Sequence, residues 1–132
     1  MGEDLLGLVL DVRRAKKQGP EGIARRQRER LGAMIALART KSPYYERLYA
    51  DLPEGTASVE LLPTTDKKAL MGAFDEWLTD RSGHLSEAQA FADDATKVGE
   101  PFHGHTLATT SGTSGTRGLF LSDRHALTAT QA

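Results

Sequence analysis

The chain has 132 residues, enough for one modest domain, and its 39% hydrophobic and 27% charged residues are ordinary for a globular protein. It contains no cysteine, which excludes disulfides, thiolate metal sites and cysteine nucleophiles. The opening MGEDLLGLVLDV is apolar but short, and it carries acids where a secretory signal carries Lys or Arg. No stretch approaches the length of a membrane span. We therefore expect a cytoplasmic protein with no membrane partner.

The first region, residues 1–41, is predicted to be a helical hairpin. From Glu3 to about Gln18, apolar residues recur at helical spacing, and the Gly19–Pro20 pair ends the run. A second apolar stripe extends to about Lys41, after which Ser42 and Pro43 stop the helix. The two stripes consist of Leu5, Leu8, Val9 and Val12, and of Ile23, Leu31, Met34, Ile35 and Ala38.

Charge is concentrated in this hairpin. Residues 11–41 hold ten Lys or Arg against three acids, a local charge of +7, although the net charge of the chain is −1. Such a segment is typical of a nucleic-acid-binding arm or of the solvated face of a helix. Arg25, Arg26, Arg28 and Arg30 fall mostly off the apolar stripe, so we expect them to be solvated.

The middle region, residues 42–97, is predicted to consist of short helices and loops. A brief helix at YYERLYADL would bury Tyr45, Leu48 and Tyr49 on one side. In LLPTTDKKALMGAFDEWLTD, Thr65 is the expected N-cap of a helix whose Leu70, Met71 and Phe74 face inward. The single tryptophan, Trp77, is expected to be a packing anchor, and SEAQAFADDA gives one more helix.

The last region, residues 98–132, changes to strand, loop, strand and the start of a helix. The β-prone runs HTLATT and GLFLS flank the glycine-rich stretch TTSGTSGTRG, and helical character returns from Asp123. If His103 and His105 lie in a strand, they point to one face as a metal pair would. With no third ligand nearby in the sequence, we expect surface histidines and no metal site.

The glycine-rich stretch has the chemistry of an anion site. It is not a Walker loop or a G-x-G-x-x-G fingerprint, because no lysine follows its glycines and a strand intervenes before the next helix. Glycines allow backbone amides to approach an anion, hydroxyls add donors, and an arginine offers a fixed positive fork. The alternative from composition is a flexible hairpin loop. The predicted phosphate ligands are Thr110, Ser111, Gly112, Thr113, Ser114, Gly115, Thr116, Arg117 and Gly118.

These residues resemble the phosphate-binding motif of the adenylate-forming (AMP-binding) enzymes, which reads roughly TSGTTG, a small residue, Pro and Lys. The Pro-Lys ending is replaced here by Arg117 and Gly118, as in the branch of phenylacetate–CoA ligase-like enzymes with their capsule-biosynthesis and deazaflavin-coenzyme-adenylating relatives. SPYYERLY and LLPTTDKKALM are similar to that branch's Ser-Pro-aromatic-Tyr and Leu-Pro-x-Thr-x-Lys segments. The resemblance covers about residues 25–127.

The resemblance implies an α/β fold that is mostly helical in this part, in which a helical lead-in reaches the first β-hairpin of the large domain. It also implies an ATP-dependent ligase. A small-molecule carboxylate attacks the α-phosphate of ATP, and a thiol, usually that of CoA, then displaces AMP. The loop would hold the β- and γ-phosphates, with Mg²⁺ balancing their charge.

The family's adenine, ribose and acyl sites and its catalytic lysine lie downstream of this loop. We therefore expect an incomplete domain, inactive alone and carrying no catalytic residue. It would be a truncated reading frame, an engineered truncation, or a split gene whose C-terminal portion is a separate chain. Leu107, Leu119, Phe120 and Leu121 of the hairpin would then lack most of their packing partners.

The alternative function is a non-enzymatic helical module that uses the basic 11–41 hairpin on nucleic acid or an acidic partner. The absence of interleaved aromatics in that segment counts against nucleic acid.

Overall fold

The computed structural model describes residues 5–110, 112 and 115–131, the last of these by its backbone only. Within them the fold is mixed α/β and mostly helical, with a two-stranded antiparallel sheet near the C-terminal end. No helix in this part of the chain is both long and apolar enough to cross a membrane. The elements are α1 (Leu5–Lys17), α2 (Gly19–Lys41), α3 (Pro43–Leu48), α4 (Lys67–Gly72), α5 (Phe74–Trp77), α6 (Leu85–Asp93), β1 (Thr106–Thr109), β2 (Leu119–Ser122) and α7 (Arg124–Gln131), with 3-10 turns at Val59–Leu61 and Ala95–Lys97.

The predicted helical hairpin is confirmed from Leu5 onwards, and its predicted start at Glu3 lies outside the described residues. Gly19 adopts a positive φ of 73°, which breaks α1 from α2, and Pro20 lies in the first turn of α2 where its missing N–H costs nothing. The two helices pack against each other. Only Leu8 and Ala15 of α1 and Gly22 and Ile35 of α2 are fully buried, so much of the predicted apolar stripe remains exposed.

The expectation that the arginines of α2 are solvated is wrong for Arg26. Its guanidinium lies 2.8 Å from a carboxylate oxygen of Asp11 and donates to the Asp11 carbonyl at 2.9 Å. Arg30 pairs with the second carboxylate oxygen at 2.7 Å but stays exposed. Asp11 on α1 therefore joins the two helices, which helical periodicity within α2 alone does not reveal.

Ser42 connects the hairpin to the rest of the fold. Its N–H continues the α2 ladder to Ala38, and its hydroxyl accepts from the N–H of Tyr45 as the N-cap of α3. The same hydroxyl donates to the carbonyl of Glu76 at 3.0 Å, and the residue is almost completely buried. The Ser-Pro break predicted from the sequence is therefore also a tertiary contact between α3 and α5.

The N-cap of α4 is Asp66 and not Thr65 as predicted. The carboxylate of Asp66 accepts from the N–H of Ala69 at 2.8 Å, which satisfies a free donor of the first turn. Thr65 instead hydrogen-bonds the hydroxyl of Tyr44. Because Thr65 is engaged by Tyr44, the neighbouring Asp66 takes the capping position.

The main core lies between the short helices and the sheet. Met71, Phe74 and Leu78 pack with Ala88 of α6, Phe102 and Leu119 of β2. Of the residues predicted to face inward here, Met71 of α4 and Phe74 of α5 are buried, and Leu70 is half-buried against the same core. Trp77 is half-buried, packs edge-to-face with Phe74 and Phe120, and donates from Nε1 to the Tyr45 hydroxyl at 3.3 Å, as expected of a packing anchor.

The strands pair in the register Thr106–Ser122, Leu107–Leu121, Ala108–Phe120 and Thr109–Leu119. The expectation that this hairpin lacks partners is wrong. Leu119 is 1% exposed, and its N–H donates to the thioether of Met71 at 3.3 Å. Leu107 and Leu121 also pack against the core. The hairpin is covered by α4–α6, which the sequence places before it.

His103 and His105 do not form the strand pair considered from the sequence. They belong to a tight turn closed by two hydrogen bonds between Phe102 and His105. His103 and Gly104 have φ values of 48° and 80°, the positive values of a type I′ turn. His103 lies 3.5 Å from Glu87, and His105 lies 3.4 Å from Asp80. The turn sends the two rings to different carboxylates.

Candidate phosphate-binding site

The glycine-rich stretch connects β1 to β2 as a loop with a closed neck. The N–H of Thr110 donates to the carbonyl of Gly118 at 3.0 Å. In return, the N–H of Gly118 donates to the hydroxyl of Thr110 at 2.9 Å. These bonds extend the strand pairing by one step and fix where the loop begins and ends. Thr110, a predicted phosphate ligand, therefore has its hydroxyl oxygen occupied as an acceptor while its proton can still be donated.

Inside the loop, two glycines adopt backbone conformations that other residues rarely reach. Gly112 and Gly115 have φ values of 67° and 83°. The N–H of Gly115 donates to the carbonyl of Gly112 at 2.8 Å, which folds this part of the loop into a turn. A Cβ at Gly115 would meet nothing within 4 Å. The requirement for glycine at 115 is therefore one of backbone angle, and the space above it is open to an approaching group.

Glycine is required at position 118 for a different reason, because neighbouring atoms leave no room for a Cβ there. A Cβ at this position would lie 2.7 Å from the ring of Phe120, 3.0 Å from the Thr110 hydroxyl and 3.1 Å from Cδ of Lys67. The stem of Lys67, the first residue of α4, therefore passes directly beside the end of the loop. This brings a basic side chain from a segment some fifty residues earlier in the sequence to the end of the loop.

Arg117 points away from the loop towards helix α6. Its guanidinium forms an ion pair with Asp93, the last residue of α6, and lies 3.4 Å from the carbonyl of Ala92. Both partners of the ion pair remain partly exposed, with 42% of the Arg117 side chain and 68% of that of Asp93 accessible. The predicted cationic ligand is thus held by a carboxylate at the edge of the loop.

The remaining predicted ligands divide into two groups. Thr116 is half-buried beside Arg117. Ser111, Thr113 and Ser114 lie outside the described residues. The structure therefore brings together Thr110, Gly112, Gly115, Gly118 and the backbone of Arg117 in one loop.

A cavity of about 310 Å³ adjoins the loop on the α6 side of β1. Thr109, the last residue of β1, and Ala92, which contacts Arg117, both line it. Its wall carries polar and apolar side chains in similar measure, with Lys97 and Asp94 among the polar ones. This cavity provides space next to the loop on the side to which Arg117 is drawn.

The residues present fit a phosphate group. Glycines at positive φ expose backbone, Thr110 carries a hydroxyl, Arg117 places a cation at the loop's edge, and the stem of Lys67 passes beside Gly118. Within the described part of the chain no group of three or more His, Asp or Glu side chains is placed to hold a metal ion.

Sequence reasoning missed Lys67 and Asp93 as parts of this site. Lys67 closes the Leu-Pro-x-Thr-x-Lys segment, and that motif was the available signal. No sequence signal marks Asp93, which stands among other acids on a short surface helix. Only the tertiary packing of α6 beside β1 brings it to Arg117.

Comparison with known proteins identifies no relative of this chain. No family model matches the chain, and neither a curated protein nor a solved structure does.

Proposed function

We propose that residues 110–118 form the phosphate-binding loop of an ATP-dependent adenylate-forming ligase of the phenylacetate–CoA ligase-like branch. The observation that supports it most is the loop itself. A motif resembling the family's signature lies between two paired strands, with a closed neck and two glycines at positive φ. The loop's role is to position the β- and γ-phosphates of ATP and to stabilise their charge.

In this function each residue has a distinct task. The backbone around Gly112 and Gly115 receives phosphate oxygens where no Cβ intervenes. Thr110 donates its hydroxyl proton while its oxygen keeps the neck closed. Lys67 adds positive charge at the point where the family's usual loop lysine is missing from the sequence. Mg²⁺ bound with ATP would supply further charge neutralisation.

The finer fold assignment is part of the same proposal. The helical region and the hairpin would correspond to the beginning of the family's large domain, and the carboxylate and CoA sites belong to family segments other than these. We expect the 132 residues to bind polyphosphate without exchanging pyrophosphate into ATP, because the family's adenine, ribose and acyl sites and its catalytic lysine are not among them.

The proposal is tested by titrating the ¹⁵N-labelled chain with magnesium tripolyphosphate and with magnesium ATP. We expect amide shifts at Gly112, Gly115, Thr116 and Gly118, of similar size for both ligands since the adenine has no family site here. Gly115→Val should abolish these shifts. Gly55→Val is the matched control, because Gly55 also has a positive φ, 73°, with open space around its Cβ. Shifts confined to residues outside 109–119, or equal loss in both variants, would contradict the assignment.

A further inference from the structure

The helical hairpin carries an open apolar groove that the phosphate loop does not use. The groove lies between α1 and α2 and has a volume of about 380 Å³. Its floor includes Val12, Ala15 and Ile23. Val12 is 49% exposed and Ile23 is 41% exposed, although both belong to stripes expected to face inward. The two helices therefore meet along one side and leave the groove above it uncovered.

Exposed apolar side chains occur again further along the same face of α2, after the polar Gln27 and Arg30. Ile23, Gln27, Arg30, Met34 and Leu37 follow one another at helical spacing, so they share one face. Met34 is 58% exposed and Leu37 is 53% exposed. From Ile23 to Leu37 this face is about 21 Å long, the length of a helix of about 14 residues. A surface of this length and shape fits the apolar side of an amphipathic helix.

The rim of the groove is cationic. Lys16, Arg26 and Arg30 border it, and Asp11 is the one acid among its lining residues in the described chain. Asp11 is already shared by the two arginines, at 2.8 and 2.7 Å, which leaves this triad with a net charge of +1. Together with the local charge of +7 over residues 11–41, this favours an acidic occupant.

The same observations disfavour other occupants. A second copy of the hairpin would bring an equally basic surface against this one. Nucleic acid would gain nothing from an aliphatic floor, and residues 5–41 contain no aromatic side chain on which a base could stack.

We propose that the α1–α2 groove is a docking site for an acidic amphipathic helix of a partner protein. The partner's Leu-like side chains enter above Val12 and Ile23, its Glu or Asp residues flank Lys16 and Arg30, and it completes a three-helix bundle with α1 and α2. This site is independent of the phosphate loop.

A display library of amphipathic helices tests the partner's chemistry. The helices carry apolar residues at fixed helical spacing and randomised Glu, Gln or Lys at the flanking positions. Selection on the 132-residue chain should enrich Glu. Enrichment of Lys, or no enrichment at all, would overturn the proposal.

The location is tested with a synthetic copy of the best selected helix. Val12→Asp should weaken its binding by at least about tenfold, because a charge then enters the apolar floor. Val98→Asp is the matched control: Val98 is 86% exposed and does not line the groove, so affinity should stay within about twofold. Equal loss in both variants would refute the groove as the site. Circular dichroism verifies that each variant keeps its helices.

Competing occupants have their own readouts. Sedimentation velocity that shows a dimer abolished by Val12→Asp would assign the groove to a second copy and overturn the proposal. Oligonucleotide binding lost in the same variant would do so in favour of nucleic acid. A monomer that binds the acidic helix, more weakly as salt is raised, supports it.

Discussion

Arg117 in the glycine-rich loop is ion-paired with Asp93 at the end of α6, and its second guanidinium nitrogen reaches the Ala92 carbonyl at 3.4 Å. Because the pair is partly exposed, its net strength is modest, about 0.2–1 kcal/mol. Phosphate bound in the loop would compete with Asp93 for the same guanidinium. The pair therefore sets how much of Arg117's charge is available to an anion.

The first prediction is that Asp93→Asn tightens tripolyphosphate binding by up to about fivefold, the equivalent of about 1 kcal/mol. Arg117→Ala should weaken binding, and the effect should shrink at high salt. The measurement is the tripolyphosphate dissociation constant from amide shifts at low ionic strength. Glu87→Gln removes the same charge from the same helix and should leave the constant unchanged. Weaker binding in Asp93→Asn would mean that Asp93 positions Arg117 and does not compete for it.

A second prediction separates two of the loop's glycines. Gly118→Ala should lower the free energy of unfolding by about 1–3 kcal/mol, because the new methyl would lie 2.7 Å from the Phe120 ring, with the Thr110 hydroxyl at 3.0 Å. Gly115→Ala meets open space and should cost only about 1 kcal/mol from its positive φ. Urea denaturation followed by Trp77 fluorescence measures both. Equal costs would show that the loop relaxes around Gly118.

A third prediction concerns pH. The hydrogen bond to His84 and then the one from the N–H of Leu85 lower the pKa of Asp75 below its ordinary 3.8. The hydrogen bond to Asp75 raises the pKa of His84 above 6.5. The stability that ionised Asp75 contributes to the fold is present above pH 3.8 and is lost as pH falls through the lowered pKa of the folded state. The stability that protonated His84 contributes to the fold is present below pH 6.5 and is lost as pH rises through the raised pKa of the folded state.

Between pH 3.8 and pH 6.5, the ordinary pKa values of the two groups, both Asp75 and His84 therefore contribute to the stability of the fold. Denaturant midpoints should show His84→Gln less stable than the parent at about pH 5 and indistinguishable from it at about pH 9. Asp75→Asn should remain destabilised at the higher pH as well, since Asp75 also accepts from Leu85 at 2.8 Å. A His84→Gln difference that does not change with pH would contradict the ion pair.

The sequence predicted most helices and both strands because periodicity and Gly-Pro or Ser-Pro breaks are local signals. It misassigned details that depend on distant partners. Thr65 lost the capping role to Asp66 through its bond to Tyr44, and Arg26 is drawn from solvent by Asp11. In the candidate site, the strand–loop–strand order was predicted from local composition, whereas Lys67 and Asp93 reach the loop only through the packing of α4 and α6.

The last prediction concerns the order of the β-hairpin, where expectation and structure differ most. From the sequence, a two-stranded hairpin without partners would exchange its amide hydrogens quickly. In the structure Leu119 is 1% exposed among Met71, Phe74 and Leu78, its N–H meets the Met71 thioether, and Phe120 packs edge-to-face on Trp77. We therefore expect protected amides at Leu119 and at the hydrogen-bonded positions of both strands.

Leu119→Ala should cost about 2–5 kcal/mol, because it leaves a cavity in the main core. Leu61→Ala removes the same atoms from a side chain that is 55% exposed and should cost much less, about 0.5 kcal/mol. Hydrogen exchange across residues 106–122 and denaturant unfolding of the two variants measure these effects. Fast exchange throughout the strands together with equal costs for the two substitutions would mean that the hairpin is not docked on α4–α6, and that the unpartnered hairpin expected from the sequence is the better description.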